Sequence, residues 1–131
     1  MRLKDKVVLI TASTRGIGLA CVKKCAKEGA RVYMAARNVE RAQEIANTLN
    51  GVKCVYNDAT KPETFTSMVE DVVNDAGKID VLVNNALPLM KGIDECTYEE
   101  FAYALAVGVS APFYLAKLFA PYFAPGASII N

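Results

Sequence analysis

The sequence predicts an α/β fold, a doubly wound parallel sheet with helices on both faces. Three observations predict it. Short apolar runs alternate with segments of helical periodicity up to residue 83. The runs are continuous rather than alternating, as in strands covered on both sides. The helical segments close at glycines, Gly51 and Gly77 among them. An unbroken β-α-β-α-β-α-β order requires right-handed crossovers and a parallel sheet.

Val7-Val8-Leu9-Ile10 is the first strand, and residues 16–29 follow as a helix. Val32–Ala36 is the second strand. Ala42, Ile45, Ala46 and Leu49 share one helical face before Gly51. Val52–Tyr56 is the third strand. Phe65, Met68, Val69, Val72, Val73 and Ala76 form an apolar helical stripe closed by Gly77, and Ile79–Val83 is the fourth strand. Tyr98–Ala124 is expected as one long helix and Ser128–Asn131 as the start of a fifth strand. The sequence therefore reads as truncated in that strand, a single domain over residues 1–131. Phe101–Ala116 carries no charge for 16 residues. A helix buried on more than one side is expected there, not a membrane span. Part of its surface is expected to meet another chain, as a homodimer or homotetramer through residues 101–123.

Composition narrows the chemistry. There is no His, which excludes His acid–base catalysis and His metal ligands. The four cysteines form no C-x-x-C pair, so no metal site is expected and a reducing, cytoplasmic setting is. Residues 1–53 hold 11 Lys/Arg against 4 Asp/Glu, and residues 54–131 hold 4 against 10. No basic run or aromatic cluster points to nucleic acid, so a small anion bound by the first half is expected.

Thr11-Ala12-Ser13-Thr14-Arg15-Gly16-Ile17-Gly18 joins the first strand to the first helix. Backbone N–H groups at a helix start bind phosphate, and ligands of open parallel sheets sit where such strands end. Ala12 is expected to keep a negative φ. A dinucleotide site places an acid about 20 residues on, for the ribose hydroxyls. Here the second strand ends Ala36-Arg37-Asn38, without one. Arg15 and Arg37 suit a 2′-phosphate, although Arg37 can equally solvate a helix start. Asp58, before Ala59, either accepts from an adenine amino group or caps the next helix. Asn84-Asn85-Ala86 either tie strand ends beneath a nucleotide or are plain turn residues.

Together these residues resemble the short-chain dehydrogenase/reductase family along the whole chain. The family's T-G-x-x-x-G-x-G appears as Thr11-Ala12 through Gly18, its Asp-Val/Ala pair as Asp58-Ala59, and its N-N-A-G as Asn84-Asn85-Ala86-Leu87. The stretches TASTRGIG, AKEGA, VYMAAR and TSMVE are most similar to bacterial 7α-hydroxysteroid dehydrogenases, with 3-oxoacyl-carrier-protein-reductase-like members close behind. The resemblance implies a Rossmann-type fold and hydride transfer between the nicotinamide and an alcohol or carbonyl. NADP(H) is expected over NAD(H), held by residues 12–18, Arg37, Asn38, Asp58, Ala59, Asn85, Ala86 and Leu87. Leu87 replaces a motif glycine, and Gly108 stands where the family carries a catalytic Asn. The family's Ser and Tyr-x-x-x-Lys are absent, so this chain alone is expected to be inactive. Tyr114 and Lys117 have the wrong spacing and are expected on the helix surface. The alternative is a non-catalytic dinucleotide-binding or regulatory module. Pro112 cannot donate to the Gly108 carbonyl, so a kink with that carbonyl unpaired is expected. Such a carbonyl either replaces the Asn in a water relay to the family's Lys or leaves the relay broken.

Overall fold

A computed structural model describes residues 1–88 and 90–131. Five strands form one all-parallel sheet in the order β3-β2-β1-β4-β5. They are β1 (Val7–Thr11), β2 (Arg31–Ala36), β3 (Val52–Tyr56), β4 (Ile79–Val83) and β5 (Phe123–Ile130). Helices α1 (Gly16–Lys27), α2 (Val39–Ala46) and α3 (Pro62–Ala76) make the crossovers. The doubly wound order runs outward from β1 in both directions, so β1 and β4 flank the point where the winding reverses.

Alternate residues of β1 explain its continuous apolar run. Val7 and Leu9 face a layer built from α3 and the C-terminal helix, with Met68, Val72, Leu115 and Phe119. Val8 and Ile10 face the layer of α1 and α2, with Val22 and Ala46. At the lower end of the sheet Asp80 of β4 accepts from the Val7 N–H (2.9 Å) and pairs with Lys78 (2.9 Å) and Lys6 (3.4 Å). This buried carboxylate ties the start of β1 to β4. Burial pushes its carboxyl upward, but the Val7 N–H and the two lysines outweigh that and hold it below the usual range.

The C-terminal stretch departs from expectation in three ways. The helix is not continuous: α4 (Tyr98–Leu105) leads into a π-turn over Ala106–Ser110, then α5 (Ala111–Phe119) and a short 3₁₀ turn to Tyr122. Ala111 donates to the Ala106 carbonyl, five residues back. Pro112 is thus met by widening the helix, and in that five-residue register the carbonyl facing the missing donor is Val107 rather than Gly108. The fifth strand begins at Phe123, earlier than Ser128. Ile79 pairs with Phe123 but Val81 with Ser128, so two steps on β4 oppose five on β5. Gly126, at φ +78°, lies within this bulge beside Pro125, which has no N–H for the ladder. Finally, Tyr114 is not surface: it is half-buried, with its ring edge-on to Phe65 at 5.8 Å.

Tyr98–Tyr122 is long and apolar enough to cross a membrane. Its inner positions Val107, Ala111, Leu115 and Phe119 are nevertheless buried against the rest of the domain. Phe101, Leu105, Val109 and Phe113 stand exposed, the last at 67%.

Candidate functional site

A cleft of about 640 Å³ lies over the C-terminal ends of the strands at the β1/β4 switch. Its floor is fastened by one hydroxyl. Thr11 Oγ1 accepts from the N–H groups of Asn85 (2.9 Å) and Ala86 (3.0 Å). The Asn85 amide then donates to the Thr11 and Ala12 carbonyls, both at 3.1 Å. Asn85 thus ties strand ends together, and its side chain is used beneath the cleft rather than in it. Gly18 is buried against the same junction. A Cβ there would lie 2.6 Å from Asn85 Nδ2 and 2.7 Å from the Ala12 carbonyl oxygen, so only glycine lets α1 start this close to β1.

Ala12 corrects an expectation. Its φ is +49°, in the left-handed region that favours glycine, where a negative angle was expected. The chain needs this turn to leave β1 and present the loop, and the Asn85 amide holds the Ala12 carbonyl in place.

Arg15, the N-cap residue of α1, lines the cleft, and the helix start behind it has no side-chain cap and no acid in its first turn. By contrast α2 is capped by Asn38 Oδ1, which accepts from Arg41 N at 3.0 Å, and α4 by a Thr97/Glu100 capping box. Uncapped amides at the positive end of a helix are suited to an anion.

Of the residues expected from sequence, Ala12, Thr14, Arg15, Arg37, Asn38, Ala59, Ala86 and Leu87 line the cleft. Ser13 lies fully buried under the loop with its Oγ unpaired. Gly16 (φ +56°) and Ile17, 73% exposed, sit at the start of α1 outside the lining. Asp58 is also held off it. Its Oδ1 accepts from the Thr60 N–H (2.9 Å) and hydroxyl (2.6 Å), and these bonds keep the carboxyl below its usual range. It therefore shapes the loop after β3 without capping α3, whose N-cap is Lys61. Gly108 is exposed outside the cleft, and among the described residues a Cβ on it would meet Pro88 alone, at 3.7 Å.

Sequence reasoning missed Arg41, Asn57, Tyr103 and Val107, all of which line the cleft. Arg41 had a readable signal: it follows Arg37 by four residues on a helix start. The lining holds three arginines and no carboxylate among the described residues. That set fits a ligand with several phosphates and disfavours the acid-to-ribose contact of an NAD site.

The family profile described as short chain dehydrogenase matches residues 6–131. The chain belongs to the short-chain dehydrogenase family. It is 42% identical to a 7α-hydroxysteroid dehydrogenase of Clostridium sardiniense, over 99% of this chain and 53% of that protein. It is 31% identical to an NADP-dependent (R)-specific alcohol dehydrogenase of Lentilactobacillus kefiri, over 99% of this chain and 54% of that one. Among solved structures, a short-chain dehydrogenase from Burkholderia cenocepacia in complex with NADP superposes with a TM-score of 0.89. It is 27% identical, and the match covers 98% of this chain and 55% of that one. The chain spans about half the length of the curated relatives it matches. These matches bear out the Rossmann-type parallel sheet and the family resemblance read from the three motifs.

Proposed function

We propose that this chain forms the NADP(H)-binding part of a short-chain oxidoreductase acting on a small-molecule alcohol or carbonyl. One observation carries the cofactor preference: Arg15, Arg37 and Arg41 line a cleft that has no carboxylate. Arg37 and Arg41 on the β2–α2 side would take the 2′-phosphate, and the uncapped start of α1 with Arg15 the pyrophosphate. When bound, the nicotinamide supplies or accepts hydride. This chain's residues bind and orient the dinucleotide, and the proton-transferring Ser, Tyr and Lys of the family are not among them. The NADP dependence of the Lentilactobacillus kefiri alcohol dehydrogenase and the NADP bound to the Burkholderia cenocepacia structure support this reading.

Titration of the full-length protein with NADP+ and NAD+ tests it. A charge-assisted contact contributes about 1.5–3 kcal/mol, so NADP+ should bind at least tenfold more tightly. Arg37→Asp should shift the preference toward NAD+. Equal dissociation constants in the unaltered protein would overturn the preference.

One observation favours the non-catalytic alternative: Gly108 replaces the family's catalytic Asn. Turnover with a panel of steroid, acyl thioester and sugar carbonyls separates the two readings. We also propose that the exposed row Phe101, Leu105, Val109 and Phe113 pairs with a second copy in a homodimer or homotetramer. A cytoplasmic location fits the four free thiols.

A further inference from the structure

We propose that Tyr103 of α4 forms the adenine-facing wall of the cleft, an inference that rests on the cofactor reading above. Beneath the cleft, Val107 meets Asn57 and Ala59 at the end of β3 around a small void. Val107 is almost fully buried and closes the floor there. Tyr103 lies one α-turn earlier on the same helix face, lines the cleft and keeps 38% of its surface open. It belongs to neither apolar layer of the core. Tyr103 from α4 and Ala59 from the end of β3 thus line the same cleft.

The arginines fix which part of a dinucleotide reaches this point. Arg37 and Arg41 mark the ribose phosphate at the end of β2, and β3 is the strand beside β2. A base carried by that ribose extends over the end of β3 and lies between Ala59 and Tyr103. Every nucleobase has a π-face, and an aromatic side chain binds it without hydrogen-bond readout. Asp58 Oδ1 is taken by Thr60, and stacking on Tyr103 is a contact that does not draw on it.

The test uses the full-length protein with three probes: 2′,5′-ADP, NADPH and reduced nicotinamide mononucleotide. Tyr103→Leu keeps apolar bulk and removes the ring, and Tyr103→Phe keeps the ring. Tyr103→Leu should weaken 2′,5′-ADP and NADPH alike, by roughly fivefold to a hundredfold. It should leave the mononucleotide unchanged, a split that a general loss of structure would not give. Tyr103→Phe should bind all three within about twofold of the unaltered protein, as expected when the ring face supplies the contact. Unaltered protein that binds neither 2′,5′-ADP nor NADPH overturns the cofactor reading and this inference with it. Unaltered protein that binds both, with Tyr103→Leu indistinguishable from it, overturns the role of Tyr103 alone. Equal losses in the Phe and Leu variants overturn stacking as the source of the affinity.

Discussion

Replacing Ala12 by glycine should stabilise the protein, against the usual expectation for an alanine-to-glycine change. Ala12 has φ +49°, where an L-residue with a Cβ costs about 1–2 kcal/mol. Glycine removes that cost but loses more chain entropy on folding, about 0.5–1 kcal/mol. The side chain is exposed, so its methyl contributes little burial that glycine would forfeit. The Asn85 amide bond to the Ala12 carbonyl is unaffected, because it uses backbone oxygen. The balance favours glycine by about 0.5–1 kcal/mol, which raises the melting temperature by a few degrees in a domain of this size. Thermal and urea unfolding of the full-length protein measure it, with Ala12→Val as the opposing variant. A β-branched side chain is worse still in this conformation, so Ala12→Val should destabilise by more than 1 kcal/mol, as a rough estimate. A glycine variant less stable than the parent, or a valine variant equal to it, would refute the strain argument.

Gly18→Ala should cost about 1–3 kcal/mol and weaken cofactor binding, because its Cβ would press on the Ala12 carbonyl oxygen at 2.7 Å and on Asn85; an unchanged melting curve would refute the packing account. Stability should fall as pH drops below about 4 toward 2. Asp80 and Asp75 both have folded values depressed below their unfolded ones, Asp75 to about 2 by its bonds with Lys53 and Tyr33. The stabilisation from such groups is present above the unfolded value and lost as pH falls through the folded one. Melting temperatures between pH 2 and 7 check this, and Asp80→Asn should flatten the acid limb. Gly108→Asn should change turnover less than tenfold, about 1.4 kcal/mol of barrier, because among the described residues a Cβ at this exposed position meets Pro88 alone, at ordinary contact distance. Steady-state rates on the full-length enzyme decide it.

The four β-α units were legible because burial on both faces writes itself as continuous apolar runs, seen in β1 and β2. The arginine-bearing loops followed from strand ends. Other features depend on what lies elsewhere in the chain. Ala12 carries no local sign of positive φ; the geometry is set by Gly18 and Asn85 packed beneath it. Asp58 looked equally suited to a ligand or a cap; its Oδ1 turns instead to Thr60 and the N-cap of α3 is Lys61, so the cap reading fails. Pro112 announced that one helical bond is missing, but kinking and widening both satisfy that, and only the packing of Val107 and Ala111 on the sheet selects widening. Tyr103 fell within residues 101–123, expected as interface, since the side of α4 that meets the cleft depends on how α5 docks. Phe123 and Ala124 looked helical because the bulge that admits them to the sheet needs β4 as a template.

The hydroxyl clasp at Thr11 also bears on the order in which the molecule assembles. Thr11 and the Asn85 N–H it binds are 74 residues apart in sequence, and the β1–β4 ladder above Asp80 closes the same long loop. Pairings of such separation lose much chain entropy before contacts compensate, so they form late. Neither β1-α1-β2 nor the addition of β3 completes the cleft floor; it exists only once β4 has docked. Affinity for the proposed dinucleotide would therefore be a property of the finished sheet, and a nascent or partly unfolded chain should not hold ligand. By mass action a ligand present at about 100 times its dissociation constant would add about 2.7 kcal/mol to the folded state alone. The cellular nucleotide pool would then act on how long the protein survives before degradation, apart from any effect on its catalytic rate.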